Sequence, residues 1–312
     1  MAQTEDVVKK FIASPYNISG ISSINDYRNL QALLHLLLVK QKTKKCFVFF
    51  TKMVNVDKSL KICKKLNLPW KRVDIRYDMA VPSTTKMPKE MVECISLLTR
   101  TYSGWDAVVC SMDEKVLHEI VSDAQKVYFD HGDLGGIEEY PACCVDEFIK
   151  QAWERFEICV PVLSNPVAQN LTLDAMGKET VDLCVKELNF PTKLVTDAYF
   201  VWMSNREERM KATKVEHQEL FHEFDVATKK NRQELWARGS DSVRKYPFLI
   251  HKACESCLVD VKNSPSAAMN KSISSFCKRV HPELYNAIIS KVDVAVKEYN
   301  KKVSRLMDGK TR

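Results

Sequence analysis

Cysteine and histidine side chains in the second half of the sequence have the spacing of a zinc site. Cys254 and Cys257 form a C-x2-C pair, and Cys277 and His281 follow as a C-x3-H pair. Thiolate and imidazole ligands in a tetrahedral array would join two helices through one ion. The same residues lie on apolar helix faces, where buried free cysteine is common. We therefore predict that the eleven cysteines are free thiols and that no metal or other cofactor is bound, with zinc at these four residues as the alternative.

A second group with chemical potential is Asp130-His131-Gly132-Asp133, which follows a strand-like segment. Ligands of α/β folds bind at strand ends of this kind, and two carboxylates with an imidazole could bind a metal ion or act as acid and base. A turn or capping role explains the same residues. A Rossmann-like transferase or phosphohydrolase that uses the Asp130–Asp133 loop is therefore the alternative function.

Basic residues are concentrated near the C-terminus. The formal net charge is +7, and residues 261–312 hold eleven Lys/Arg against four Asp/Glu, which accounts for all of it. Such a segment suits RNA or DNA, although a solvated lysine-rich helix face has the same composition. The candidate phosphate-binding residues on the predicted final helix are Lys291, Lys297, Lys301, Lys302 and Arg305.

The elements that must position these residues differ between the two halves of the chain. After a helix over residues 24–39, strand and helix patterns alternate between about residues 44 and 163, which predicts an α/β domain with a parallel sheet and helices on both faces. The predicted strands are 46–50, 71–75, 106–110, a fourth that begins at Val127, and a fifth at ICVPVL, residues 158–163.

After Pro166 the patterns are helical, so we predict two domains, an α/β domain at 1–166 that folds alone and a helical domain at 167–312 with a basic C-terminus. The chain has only 8 glycines and no clustered phosphate loop. We find no apolar run long enough for a membrane span and no secretory signal. With the unpaired cysteine pattern, these features indicate a reducing compartment, the cytoplasm or the nucleus.

Three short motifs in the first half follow one another in a specific order. CFVFFTKM contains Thr51 and Lys52 after an apolar strand, SGWDAVVCSMD is a later strand, and QAWER runs from Gln151 to Arg155. In this order residues 29–156 resemble the second, C-terminal RecA-like lobe of superfamily 2 helicases of the DEAD-box kind. The resemblance implies a RecA-like fold that binds a nucleic-acid backbone at its strand ends, with Lys44, Lys45 and Lys52 as a secondary site.

The departures from that family decide the expected function. Ala152 and Glu154 stand where the family has an arginine and a glycine, so the arginine pair that neutralises phosphate is incomplete. Only about 45 residues precede CFVFF, and no Gly-Lys-Thr phosphate loop occurs. We therefore expect no ATPase or helicase activity. The predicted function is a non-catalytic adaptor or scaffold in an RNA-handling or chromatin-associated assembly, with protein partners, RNA or DNA as a further partner, and no membrane.

Overall fold

Helices dominate the structure. The computed structural model describes residues 2–16, 18, 25–52, 56–73, 90–91, 94, 105–124, 135–163, 182–187, 189–203 and 218–307. In the first half the elements are α1 (Ala2–Ala13), α2 (Asn25–Lys40), β1 (Cys46–Lys52), α3 (Val56–Lys65), β2 (Trp70–Val73), β3 (Trp105–Ser111), α4 (Glu114–Ala124) and α5 (Ala142–Leu163). The second half contains a π-helical turn (Asp182–Glu187), α6 (Thr192–Met203), α7 (Gln218–Lys245), α8 (Glu255–Val259), α9 (Pro265–Val280) and α10 (Pro282–Met307).

The predicted parallel-sheet, RecA-like domain is wrong. The described strands form one sheet in the order β1-β3-β2, and both pairings are antiparallel. Cys46 lies opposite Ser111, and Trp70 lies opposite Cys110. Because β1 and β2 are each antiparallel to β3, they run in the same direction, as a crossover through α3 requires. The strand β3 lies between them and runs in the opposite direction. Local residue patterns predict that a segment is a strand, but they do not specify its direction relative to its neighbours.

The fifth predicted strand is also wrong. Its residues, ICVPVL, form the end of α5, which runs unbroken to Leu163. A short apolar run is compatible with either a buried strand or a buried helix. The fourth predicted strand, which begins at Val127, lies outside the described residues.

The centre of the core is α2. Every residue from 29 to 39 is buried, including the leucines at positions 30, 33, 34, 36, 37 and 38, which are all at most 2% exposed, so this part of the helix is enclosed on every side. On one side α2 packs against β1 and β3, and on another side it packs against α10. Each fully buried leucine contributes about 1.5–3 kcal/mol to the free energy of unfolding.

Polar contacts fix α2 to residues more than 200 positions away. The Tyr27 hydroxyl donates to the carbonyl of Pro247 at 2.7 Å, and the Gln31 amide donates to the carbonyl of Leu249 at 2.7 Å. Arg28 donates to the hydroxyl of Tyr299 at 2.7 Å. The main hydrophobic cluster likewise combines residues 7–110 with residues 243–299, so one core joins both sides of the boundary expected at residue 166.

The long helices α7 and α10 pack together antiparallel. Ser240 donates to the side chain of Asn300 at 2.9 Å, and the rings of Trp236 and Tyr299 lie 5.5 Å apart. The helix α10 packs against α2, and α7 adds Val243 and Trp236 to the main hydrophobic cluster. Within the described part of the chain, no helix is long and apolar enough to cross a membrane.

Candidate metal centre

Four cysteines meet where α5, α8 and α9 converge. Cys143 and Cys144 lie in the first turn of α5, which begins after Pro141. Cys254 is the N-cap residue of α8 and Cys257 lies within that helix. A C-x2-C pair at the start of a short helix directs both sulfurs to the same side, a common arrangement in zinc sites.

The sulfur atoms of the four cysteines all lie within 4.8 Å of one another. Cys257 is central, with its Sγ 3.6 Å from that of Cys143 and 3.8 Å from that of Cys144. Cys144, Cys254 and Cys257 are buried, and Cys143 is half-buried. Among the described residues this is the one group of three or more potential ligands that lies close enough to share an ion.

Hydrogen-bond donors surround the sulfurs. The backbone amide of Cys254 donates to Cys144 Sγ at 3.4 Å. The hydroxyls of Ser266 and Ser256 lie 3.3 Å from Cys144 Sγ and 3.2 Å from Cys254 Sγ, respectively. Donors of this kind stabilise negative charge on sulfur and orient the ligands of metal sites.

The thiols differ in their acidity. Burial disfavours the thiolate of Cys257, but hydrogen bonds from Ser266, Cys254 and Cys143 outweigh that effect and lower its pKa to about 7. Burial, together with the hydrogen bond to Cys257, raises the pKa of Cys143 to about 11. Burial also raises the pKa of Cys144. Of these three thiols, Cys257 is thus the most readily deprotonated.

One edge of the cluster opens onto a surface groove of about 530 Å³. Its lining residues are Cys143, Glu147, Cys254, Glu255, Ser256 and Val259. The opposite edge is closed by an apolar cluster that contains Tyr246, Leu249 and Ala253. The sulfurs are thus reachable from solvent on one side and packed against a core on the other.

The zinc set considered from sequence is only half assembled. Cys254 and Cys257 are in the cluster, but Cys277 and His281 belong to the main core, where Cys277 Sγ lies 3.8 Å from the carbonyl of His281. Cys143 and Cys144 take their places. The C-x2-C spacing of Cys254 and Cys257 predicts two ligands of a metal site. Cys143 and Cys144 lie more than a hundred residues earlier, and no sequence spacing links them to that pair.

Two lysines of the proposed secondary nucleic-acid site, Lys44 and Lys45, have carboxylate partners. Lys44 is 9% exposed, and its Nζ lies 3.5 Å from Glu138 and 3.4 Å from Nδ1 of His35. Lys45 lies 4.0 Å from Glu139. Thr51 and Lys52 lie at the end of β1. The Glu138-Glu139 pair, which sequence reasoning missed, brings the residues before α5 onto the start of β1.

The basic residues of the final helix divide into two groups. Lys297, Lys301 and Arg305 are exposed. Lys291 forms an ion pair with Asp26 at 3.3 Å, and the Nζ of Lys302 lies over the ring of Trp236 at 4.1 Å.

The residues of the degenerate sixth motif lie within α5. Gln151 is buried and donates to Glu147 at 3.1 Å. Glu147 also accepts from Arg238 at 2.9 Å, so Gln151 takes part in the contact between α5 and α7. Arg155 lies one turn further along α5. The Asp130–Asp133 loop lies outside the described residues.

No protein-family model, curated protein or solved structure matches this chain.

Proposed function

We propose that this protein is a non-catalytic adaptor that binds the phosphate backbone of RNA or DNA through a cationic face on α10. The face consists of Lys297, Lys301 and Arg305, whose exposure on one side of the helix is the observation that carries the proposal. Residues four positions apart are neighbours along a helix and are separated by about 6 Å of axial rise. The three cations can therefore follow successive phosphates.

The cations of this face form no ion pairs with described residues, although Asp293 and Glu298 lie on the same helix. Lys291, also on this helix, is by contrast paired with Asp26. Burial lowers the pKa of the adjacent Lys302, Glu298 opposes that shift, and the nearby Arg305 adds to it. Positive charge is thus concentrated along this side of α10.

The helix that carries the face is held rigidly. Its opposite side buries Ala295, Val296, Tyr299 and Leu306 in the core, so the cations project from a fixed support rather than from a flexible tail. A fixed support reduces the entropy lost on binding. The proposal also requires protein partners, because an adaptor joins other molecules. Purification of the protein from native cells, with identification of the bound protein and RNA, would identify these partners.

The test is charge reversal, because truncation of α10 would remove core residues. We compare the full chain with the triple variant Lys297→Glu, Lys301→Glu, Arg305→Glu in binding to fluorescent single-stranded RNA and duplex DNA over a salt series. Affinity should fall at least about tenfold at low salt. The plot of log affinity against log salt concentration has a negative slope. Its magnitude should become smaller by roughly 2–3, because each lost phosphate contact removes about 0.7–0.9.

The matched control reverses three other exposed lysines on one helix, Lys61, Lys64 and Lys65 of α3. Each triple variant changes six charge units, from +7 to +1, so a purely net-charge effect would weaken both equally. Retained affinity in the α3 variant supports the face on α10. Equal loss in both variants, or no binding by the wild type at low salt, would contradict the proposal.

A further inference from the structure

We infer that Cys143, Cys144, Cys254 and Cys257 bind one Zn²⁺ ion in a structural metal centre. This centre is separate from the cationic face on α10, and neither proposal depends on the other. The inference rests on the distances between the sulfurs, on the donors around them and on the elements that they join.

The distances fit a single tetrahedral ion. Zinc–thiolate bonds of about 2.3 Å in a tetrahedron place the sulfurs about 3.8 Å apart. The two contacts of Cys257 measure 3.6 and 3.8 Å, and the full set lies within 4.8 Å. Soft thiolates in this geometry select zinc, or iron as the other tetrahedral option.

The same distances argue against two other states of the cysteines. A disulfide would require two sulfurs at about 2.05 Å, whereas Cys257 Sγ lies 3.6 Å from Cys143 Sγ and 3.8 Å from Cys144 Sγ. An iron–sulfur cluster distributes its four thiolates over two or more irons that are joined by inorganic sulfide. Thiolates bound to different irons lie farther apart than thiolates bound to the same ion. Here all four sulfurs lie within 4.8 Å of one another, which is too close for such a cluster.

The surroundings of the cluster suit a metal–thiolate complex. The amide of Cys254 donates to Cys144 Sγ, and Ser266 and Ser256 place hydroxyls beside two of the sulfurs. These groups stabilise the net negative charge that four thiolates retain around one divalent cation. The groove lined by Cys143 and Cys254 provides a path by which the ion reaches the site.

The role is structural because protein ligands fill all four positions. Catalytic zinc sites keep one position for water or substrate, whereas four-cysteine sites stabilise folds. Here the ion would join α5 to α8 across more than a hundred residues of chain. The apolar cluster beside the site is small. Among the described residues it has six buried members, three of which are cysteines of the site, so the ion would supply stability that a larger apolar core supplies elsewhere.

The first experiment measures zinc and iron by elemental analysis in the full chain, purified under reducing conditions without a metal-affinity tag. We expect about one zinc per chain and no stoichiometric iron. The variant Cys254→Ser should lose most of that zinc. The control is Cys277→Ser, which alters an equally buried cysteine outside the cluster and should retain it.

A second measurement does not depend on the folding of a variant. The wild-type protein, stripped of metal under reducing conditions, is titrated with Co²⁺ alone. Tetrahedral thiolate ligation should give visible d–d bands and a sulfur-to-cobalt charge-transfer band, both abolished by added Zn²⁺. Wild-type protein without zinc and without these bands would overturn the inference, as would stoichiometric iron, a disulfide within the cluster, or undiminished zinc in Cys254→Ser.

Discussion

At the scale of single residues, the most unusual environment is the buried polar group around Lys44. Glu138, His35, Tyr140 and His251 lie about it, and the rings of Tyr140 and His251 are 4.8 Å apart. Burial, together with the positive charge of Lys44, holds the pKa of His35 well below its ordinary value. The same two causes, with Arg28, lower the pKa of His251 to about 3. Both imidazoles are therefore neutral in the folded protein near neutral pH.

These histidines should make the protein sensitive to mild acid. In the unfolded chain a histidine takes up its proton as the pH falls through about 6.5, whereas folded His251 stays neutral until the pH nears 3. The unfolded state binds more protons in this window, so the free energy of unfolding should fall by up to about 1.4 kcal/mol per pH unit for each such histidine. Urea unfolding measured at several pH values between 4 and 7 gives this slope.

The variant His251→Phe isolates one of these protons. Both ring nitrogens of His251 are buried and have no partner among the described residues, and phenylalanine keeps the ring contact with Tyr140. We expect unchanged or greater stability at pH 7 and one proton less in the acid-dependent slope. Burial raises the pKa of Glu138, which gives a pH dependence of opposite sign, but that contribution is shared by both proteins. An identical slope in the variant would show that the pKa of His251 does not differ between the folded and the unfolded states.

At the scale of elements, the contact between α7 and α10 depends on a glycine within a helix. A Cβ at Gly239 would lie 2.6 Å from Cε1 of Tyr299. That ring cannot readily move, because Arg28 binds its hydroxyl and Trp236 packs against it. Close approach of the two helices therefore outweighs the ordinary preference for alanine in a helix.

We expect Gly239→Ala to destabilise the protein by about 1–3 kcal/mol, the usual effect of overpacking a core. Helix propensity alone would stabilise it by about 0.8–1 kcal/mol, so the sign of the change is diagnostic. Gly136→Ala is the control, because nothing lies within 4 Å of its added Cβ, and its effect should stay within about 0.5 kcal/mol. Chemical unfolding of both variants checks the difference, and a stabilised Gly239→Ala protein would mean that α7 and α10 pack less closely.

The elements also show how far the sequence specified the fold. The apolar periodicity of α2 and the apolar, aromatic run of β1 are local signals, and the structure places these two elements where they were predicted. Strand direction and the helical state of Ile158–Leu163 depend on distant contacts, and both were predicted wrongly. For the same reason the sequence indicated only two of the four cysteines in the cluster. Cys254 and Cys257 are linked by their spacing, whereas the fold alone brings Cys143 and Cys144 to them.

At the scale of the whole molecule, the two halves of the chain share one core. Residues 243–299 supply a large part of the cluster that encloses α2, and the four cysteines join α5 to α8. Whether residues 1–166 fold alone, as predicted from the sequence, is a question for a fragment of that length. The chain has only 8 glycines, which agrees with the predominance of helices in the described residues.

We therefore expect a fragment of residues 1–166 to expose α2 and to lack a cooperative thermal transition. The fragment and the full chain are compared by circular dichroism and by binding of a hydrophobic dye. The reason is that α2, which is buried on every side from residue 29 to residue 39, would lose α10 and the segment at residues 246–250 that accepts its hydrogen bonds. A sharp melt of the fragment without dye binding would show that α1–α5 and the sheet suffice for a core.

The enclosure of α2 by α10 also has a consequence for synthesis on the ribosome. Asp26 and Lys291, which bind each other in the folded protein, are separated by 265 residues. At about 5–20 residues per second, the ribosome needs roughly 13–50 s to translate that distance. During this interval the leucine-rich helix α2 has been synthesised without the helix that covers it. The nascent chain must therefore shield α2 by temporary contacts or a chaperone, and its yield in cells should depend on how fast the last helix is translated.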